Sequence, residues 1–306
     1  MHQKPEPTAV ISLILICSMV FLGFAVVGPI LGFFISLPFF PGNMMEYADA
    51  LQNIPQHPEI KIPLYIIQGC ATLIGLIIGP VLFIQYQKKR IKAYFENRPL
   101  EIIPMILTVI TVIVFMGANS FFVEWNSTVQ FPEFLKGFEE WAKEKESAAT
   151  AITEFLTHFD SFQQVIIALI VIAILPAIGE ELVFRGLIQN EFYRGTKNIH
   201  LSIWISAVLF SAIHMQFYGF VPRMLLGAVF GYLYYWSANI WIAMLAHFIN
   251  NATAVIGMYL NQIGYFDFDV ESSDAAPMPI ITFSAALTIL LLYSFKKYYQ
   301  QKTNPT

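Results

Sequence analysis

Charge is what this sequence has least of. Asp, Glu, Lys and Arg make up 12% of its 306 residues and hydrophobic residues 57%, where a soluble domain carries about twice that charged fraction. A chain so poor in charge cannot clothe a water-soluble surface, and the mean hydropathy of +0.61 points the same way. The expected class is an all-α polytopic membrane protein. The formal net charge of -4 offers no basic face, which disfavours a nucleic-acid partner. Cysteine is nearly absent. Cys17 and Cys70 both lie in apolar runs, at a spacing that suits neither a disulfide framework nor a cysteine zinc site. The sequence holds no internal repeat, no low-complexity tract and no H-E-x-x-H zinc signature. The first apolar run, from Ala9 to Phe40, is too long for a signal-peptide core and has no small-residue cleavage site, so it reads as a retained helix.

What is present is a series of long apolar runs. A hydrocarbon core about 30 Å thick needs about 20 apolar residues per crossing helix. That ruler gives eight spans, at 9–35, 62–84, 102–123, 163–188, 200–216, 219–236, 239–260 and 279–295. Three parts are expected. Residues 1–160 hold N-terminal membrane helices plus a polar insert at 124–161, residues 161–260 a core with the intramembrane polar groups, and residues 261–306 an acidic loop around Asp267 to Asp274, the last span and a tail. In the insert, Phe134, Leu135, Phe138, Trp141 and Ala142 recur at helical spacing against Glu139, Glu140, Lys143 and Glu144. A helix lying in the membrane interface has this pattern, and a solvated helical loop fits it equally.

Lysine and arginine set the orientation. With eight spans, the side that holds both termini carries eleven of them, among them Lys88, Lys89, Arg90 and Lys92, and the other side carries five: Lys61, Lys136, Lys143, Lys145 and Arg223. Both termini are expected in the cytoplasm, with the insert and the acidic loop outside.

Ionisable side chains at a helix centre in the bilayer cost about 2.5–3.5 kcal/mol each, so each needs a partner or a task. Away from span ends they are few: Glu180, Glu181 and Arg185 in "AIGEELVFRG", His214 in "FSAIH", and His247 in "HFINN", with the amides Asn250 and Asn251. Residues four apart share a helix face. Glu181 can therefore pair with Arg185, an ion pair expected to orient the helix, while Glu180 points about 100° away and stays free. His247 and Asn251 share a face, and Phe210 stands one turn before His214. A rise of about 1.5 Å per residue, counted from cytoplasmic ends near 188, 200 and 239, puts Glu180 and His247 about 12 Å deep, Asn251 about 18 Å and His214 about 21 Å.

These residue types suit hydrolysis. A carboxylate beside an imidazole can hold a water and take its proton, and a second imidazole with a carboxamide can donate to an oxygen that gains negative charge. Glu180 with His214, and His247 with Asn251, fit the two halves of a peptide-hydrolysing site, and no serine or cysteine stands beside them as a nucleophile. Each residue alone has a plainer reading. His214, His247 and Asn251 could be interhelical hydrogen-bonding groups, and Glu180 the relay carboxylate of a proton-coupled transporter, although no repeated half supports a transporter. Glu180, His214 and His247 are also acceptable zinc ligands in number and type, without a zinc spacing. Zinc is thus the one metal cofactor to consider.

In order and spacing, "EELVFR" (180–185), "FSAIH" (210–214) and "HFINN" (247–251) resemble the E-E-x-x-x-R, F-x-x-x-H and H-x-x-x-N motifs of the CAAX prenyl protease 2 and bacteriocin-processing family of intramembrane proteases, also called the Abi family. The resemblance covers about 165–255. It implies an eight-helix bundle in a bacterial plasma membrane that acts on a membrane-associated protein or peptide. It further implies that Glu180 and His214 activate water, that His247 and Asn251 stabilise the oxyanion, and that Glu181, Arg185 and Phe210 support the site. The family's metalloprotease label stands beside a metal-free glutamate mechanism, so the resemblance leaves zinc open. Its members remove the last three residues of prenylated proteins or serve peptide maturation and self-immunity. A non-catalytic immunity or scaffold protein would be expected to lose a motif, and all three are intact. Oligomeric state has no signature in the sequence.

Overall fold

Apolar runs in lipid fold as helices because the backbone must satisfy its own hydrogen bonds there. The computed structural model describes residues 7–95, 98–265 and 273–303, and among them there is no β-strand. Among the described residues, six helices are long and apolar enough to cross a membrane: α1 (Ala9–Phe39), α2 (Pro58–Tyr86), α3 (Ile102–Ser127), α5 (Phe162–Thr196), α8 (Ile240–Gln262) and α9 (Met278–Lys302). Between them lie α4 (Lys136–Thr157) and the shorter pair α6 (Ile199–Ala212) and α7 (Phe220–Ser237). The protein is all-α and polytopic. The expected acidic loop falls largely at 266–272, outside the described residues.

Each expected span is a helix, but two ends differ in a way that matters. Helix α5 runs eight residues past 188. Its next residues are polar yet satisfied within the bundle: Asn190 Nδ2 donates to Gly186 O (2.8 Å) and to Tyr234 Oη (3.0 Å), and buried Glu191 pairs with Arg194 at 2.5 Å. Helix α6 instead stops at Ala212. Its 14 residues reach about 21 Å, short of a hydrocarbon core of about 30 Å, so α6 and α7 form a short hairpin whose tip carries His214.

The bundle has two distinct ends. At one, Arg194 donates to Pro7 O (2.9 Å) and Ser12 Oγ (3.0 Å), Asn239 Nδ2 donates to Arg98 O (2.8 Å), and Tyr298 Oη donates to Glu101 (2.7 Å). At the other, Lys61 Nζ donates to His158 O (2.6 Å), Gln262 bonds both backbone groups of Phe159, and Asn126 bonds Phe217 O (3.1 Å) and Val221 N (2.8 Å). The described start of the chain and the end of α9 therefore share one end, and the hairpin tip lies at the other, beneath α4.

Helix α4 is half anchored. Ala142 and Leu156 are buried against the bundle, and Phe138 meets the rings of Phe131 (5.2 Å) and Phe217 (5.8 Å), while Phe134, in a 3-10 turn before the helix, is 84% exposed.

Helices α1 and α2 touch backbone to backbone. A Cβ on Gly75 would stand 2.4 Å from Phe24 N, and one on Gly28 would stand 2.5 Å from Ala71 Cα. Small residues at helix crossings allow this approach in membranes. Gly75→Ala is expected to cost about 1–3 kcal/mol by overpacking. It should melt earlier in detergent with its helical circular dichroism intact, and a wild-type melting curve would mean that the backbones do not meet.

Candidate active site

Glu180 and Glu181 lie where α5 passes between two π-helical turns, Leu169–Ile174 and Leu182–Gln189, a distortion frequent at functional sites. The expected i,i+4 pair forms. Arg185 Nη1 donates to Glu181 Oε1 at 2.7 Å, with both side chains essentially inaccessible. The guanidinium also donates through Nη2 to Gly227 O (2.9 Å) and lies over the rings of Phe210 (4.6 Å) and Phe230 (5.4 Å). One turn on, Gln189 Nε2 reaches Gly231 O at 3.3 Å. Both acceptors are glycines for a steric reason: a Cβ on Gly227 would come 3.2 Å from Arg185 Nη2, and one on Gly231 would come 2.8 Å from Gln189 Oε1.

Glu181 does more than pair with arginine. Its Oε1 also accepts from His247 Nδ1 at 2.8 Å. A carboxylate already holding a guanidinium can only accept, so Nδ1 carries a proton, and in the neutral imidazole it is Nε2 that presents a lone pair. That Nε2 faces Glu180 Oε2 at 3.9 Å. The imidazole stacks on Phe230 (5.4 Å) and meets Phe210 edge-on (5.9 Å).

His214 lies in the turn after α6. Its Nδ1 is 2.8 Å from Phe210 O, and since a carbonyl only accepts, Nδ1 is again the donor and Nε2 is free. Its ring meets Phe210 edge-on at 5.3 Å, so Phe210 stands against both imidazoles. The expected pairing of Glu180 with His214 is not made: the imidazole facing Glu180 is that of His247. Asn251 donates through Nδ2 to Ile172 O (3.1 Å) and accepts from Asn250 Nδ2 (3.1 Å), which leaves one amide hydrogen.

The geometry permits one chemical act directly. A water bonded to both Glu180 Oε2 and His247 Nε2 at about 2.8 Å would span their separation at roughly a right angle. Both are acceptors, so both water hydrogens would be engaged and an oxygen lone pair left free. Glu180, 15% exposed at its side chain against 0% for Glu181, is the reachable carboxylate.

Zinc does not fit this arrangement. Among the described residues no three His, Cys, Asp or Glu side chains converge as a metal-holding group, so the trio Glu180, His214 and His247 is not a ligand set here.

Sequence reasoning missed the residues above the site. Arg223, counted with the cations on the side opposite the termini, lies in the first turn of α7 and donates through Nη2 to Gln216 Oε1 (2.9 Å), and Gln216 Nε2 donates to Glu146 Oε1 (3.3 Å). Glu146 Oε2 accepts from Tyr218 N (3.1 Å). Glu146 and Tyr218 line a cavity of about 720 Å³ between α4 and the end of α3, together with Thr128, Glu139, Lys143 and Glu154. On its wall, a hydrogen bond from Lys143 (2.5 Å) holds the Glu139 carboxyl below the usual range and lifts the lysine above its own. Gln216, a polar side chain in "HMQFYG" at the end of the expected fifth span, was the available signal.

Comparison with known proteins agrees with the helices that build the site. The chain is 28% identical over 88 residues to "Uncharacterized protein YpbD" of Bacillus subtilis, which covers 28% of this chain and 42% of that protein. It is 32% identical over 97 residues to "Putative membrane peptidase YdiL" of the same organism, covering 32% of this chain and 39% of that protein. The chain thus spans about two fifths of the length of the curated relatives it matches. No solved structure matches it. Residues 162–253, from the start of α5 to beyond Asn251, match the family described as type II CAAX prenyl endopeptidase Rce1-like.

Proposed function

We propose that the protein is an intramembrane endopeptidase that hydrolyses a peptide bond of a membrane-associated protein or peptide with a water activated by Glu180. The observation that carries this reading is the pair Glu180 Oε2 and His247 Nε2, 3.9 Å apart, with the imidazole's tautomer set by Glu181 and the family match running through both residues. As the water oxygen bonds to the carbonyl carbon, its proton passes to Glu180. The charge on the carbonyl oxygen is met by N–H donors, of which Asn251 retains one. The C–N bond then breaks as a proton reaches the leaving amine. His247 takes the water-sharing role that the motif resemblance gave to His214, and His214 Nε2 serves as the second proton-exchanging group on the other side of Phe210.

The lysine and arginine asymmetry favours cytoplasmic termini in a bacterial plasma membrane. His214 and the cavity lie toward the opposite end of the bundle, which favours cleavage in the outer half of the bilayer rather than at the depth counted from cytoplasmic ends.

The test is cleavage of a panel of tagged membrane peptides by the purified full chain. His214→Ala is expected to be at least about 100-fold slower than wild type. Equal rates, or a panel untouched by wild type, would remove the reading.

A further inference from the structure

We infer that Arg223 is a binding point for a carboxylate of the substrate, placed in the first turn of α7 two hydrogen bonds behind the wall of the outward cavity. The inference rests on the hydrolytic reading for the statement that the bound molecule is substrate.

Arg223, in the first turn of the hairpin helix α7, has no carboxylate within ion-pair distance among the described residues. Its Nη1 is buried without a hydrogen-bond partner, and so is the hydroxyl of Tyr218 in the same turn. Nη2 is occupied, but by the neutral amide of Gln216, and Glu146 is reached only through that amide. Gly219 lies directly against the guanidinium, where a Cβ would stand 3.0 Å from Nη2. Arg223 acts electrostatically on both Glu180 and His214, so it stands near the groups that would handle the scissile bond.

The buried arginine, Arg185, is treated differently. Arg185 has its carboxylate, its carbonyl and two rings in contact, whereas the counter-charges of Arg223, Glu146 and Glu180, act on it only from beyond ion-pair distance. A partly buried permanent cation with an unpartnered Nη1 favours a permanent anion in direct contact. An oxyanion that exists only during the reaction does not meet that need, whereas a carboxylate of the bound chain does, and a forked guanidinium suits it geometrically. The carboxylate is either the substrate's chain terminus or an acidic side chain.

A dansylated apolar hexapeptide distinguishes these sources when prepared with a free C-terminal carboxylate, as the C-terminal amide, and as the amide carrying one glutamate. Binding is titrated on the full chain in neutral-lipid nanodiscs. The free acid, the glutamate peptide or both should bind at least about tenfold more tightly than the plain amide, to wild type and to Glu180→Gln alike. Arg223→Gln should bring the forms to within about twofold. Arg223→Lys, which keeps the charge and guards against a folding defect, should weaken the carboxylate forms several-fold and leave the amide unchanged. Equal binding of all three forms to wild type, including no measurable binding of any, overturns the inference. So does a preference that survives Arg223→Gln, or an Arg223→Gln that lowers kcat with binding unaltered. Persistent cleavage by Glu180→Gln would instead remove the activation of water by Glu180 and leave the carboxylate preference standing.

Discussion

Glu180→Gln is expected to slow peptide hydrolysis by about 10²–10⁴-fold while its melting temperature stays at the wild-type value. The amide keeps the size of the side chain and its hydrogen-bonding capacity, but it cannot take a proton from water. The fold should not notice the change, because Glu180 makes no hydrogen bond among the described residues and its titratable neighbour within ion-pair distance is the imidazole of His247, whose Nε2 lies 3.9 Å away. Cleavage of the membrane-peptide panel by purified Glu180→Gln at the wild-type rate would sink the assignment.

Arg185→Ala should act the other way, on stability. Arg185 is 1% exposed and joins Glu181, Gly227 O, Phe210 and Phe230. Its removal strands a carboxylate that already has one oxygen, Oε2, without a partner among the described residues. Breaking a buried pair from one side costs about 3–5 kcal/mol, to be read as lower yield and an earlier melting transition in detergent. Removing both charges together is far cheaper, so Glu181→Gln combined with Arg185→Met should recover much of the lost melting temperature. A stable but inactive Arg185→Ala would mean that the arginine takes part in the chemistry.

The helices were legible because hydropathy and helix length speak directly to the bilayer, and the Glu181–Arg185 pair because i,i+4 spacing is local. What could not be read was where a helix ends when polar residues are satisfied inside the bundle, or when apolar residues form a turn. Asn190 and Glu191 resembled a water-facing end and are not one. "MQFYGF" kept the hydropathy high past Ala212, although Met215 adopts a left-handed backbone there (φ 56°) and the helix has stopped. Arg223 was misread for the same reason, since a cation near a span boundary counts as a loop charge until the turn is located. Partner choice between two imidazoles depends on the approach of three helices, and no spacing within one helix encodes it.

The two side-chain rungs between α5 and α7, Arg185 to Gly227 O and Gln189 to Gly231 O, share one offset of 42 residues. Their acceptors are backbone carbonyls, which side-chain substitution cannot delete. A slip of one helix along the other would break both rungs together and drive both donors into the next turn, so α5 and the hairpin move as a single body. In the proposed reaction, admission of a substrate then calls for displacement of a neighbour such as α4, which is tied to the hairpin tip through Glu146 and Phe138 and to α2 through the Tyr65 hydroxyl on Leu156 O.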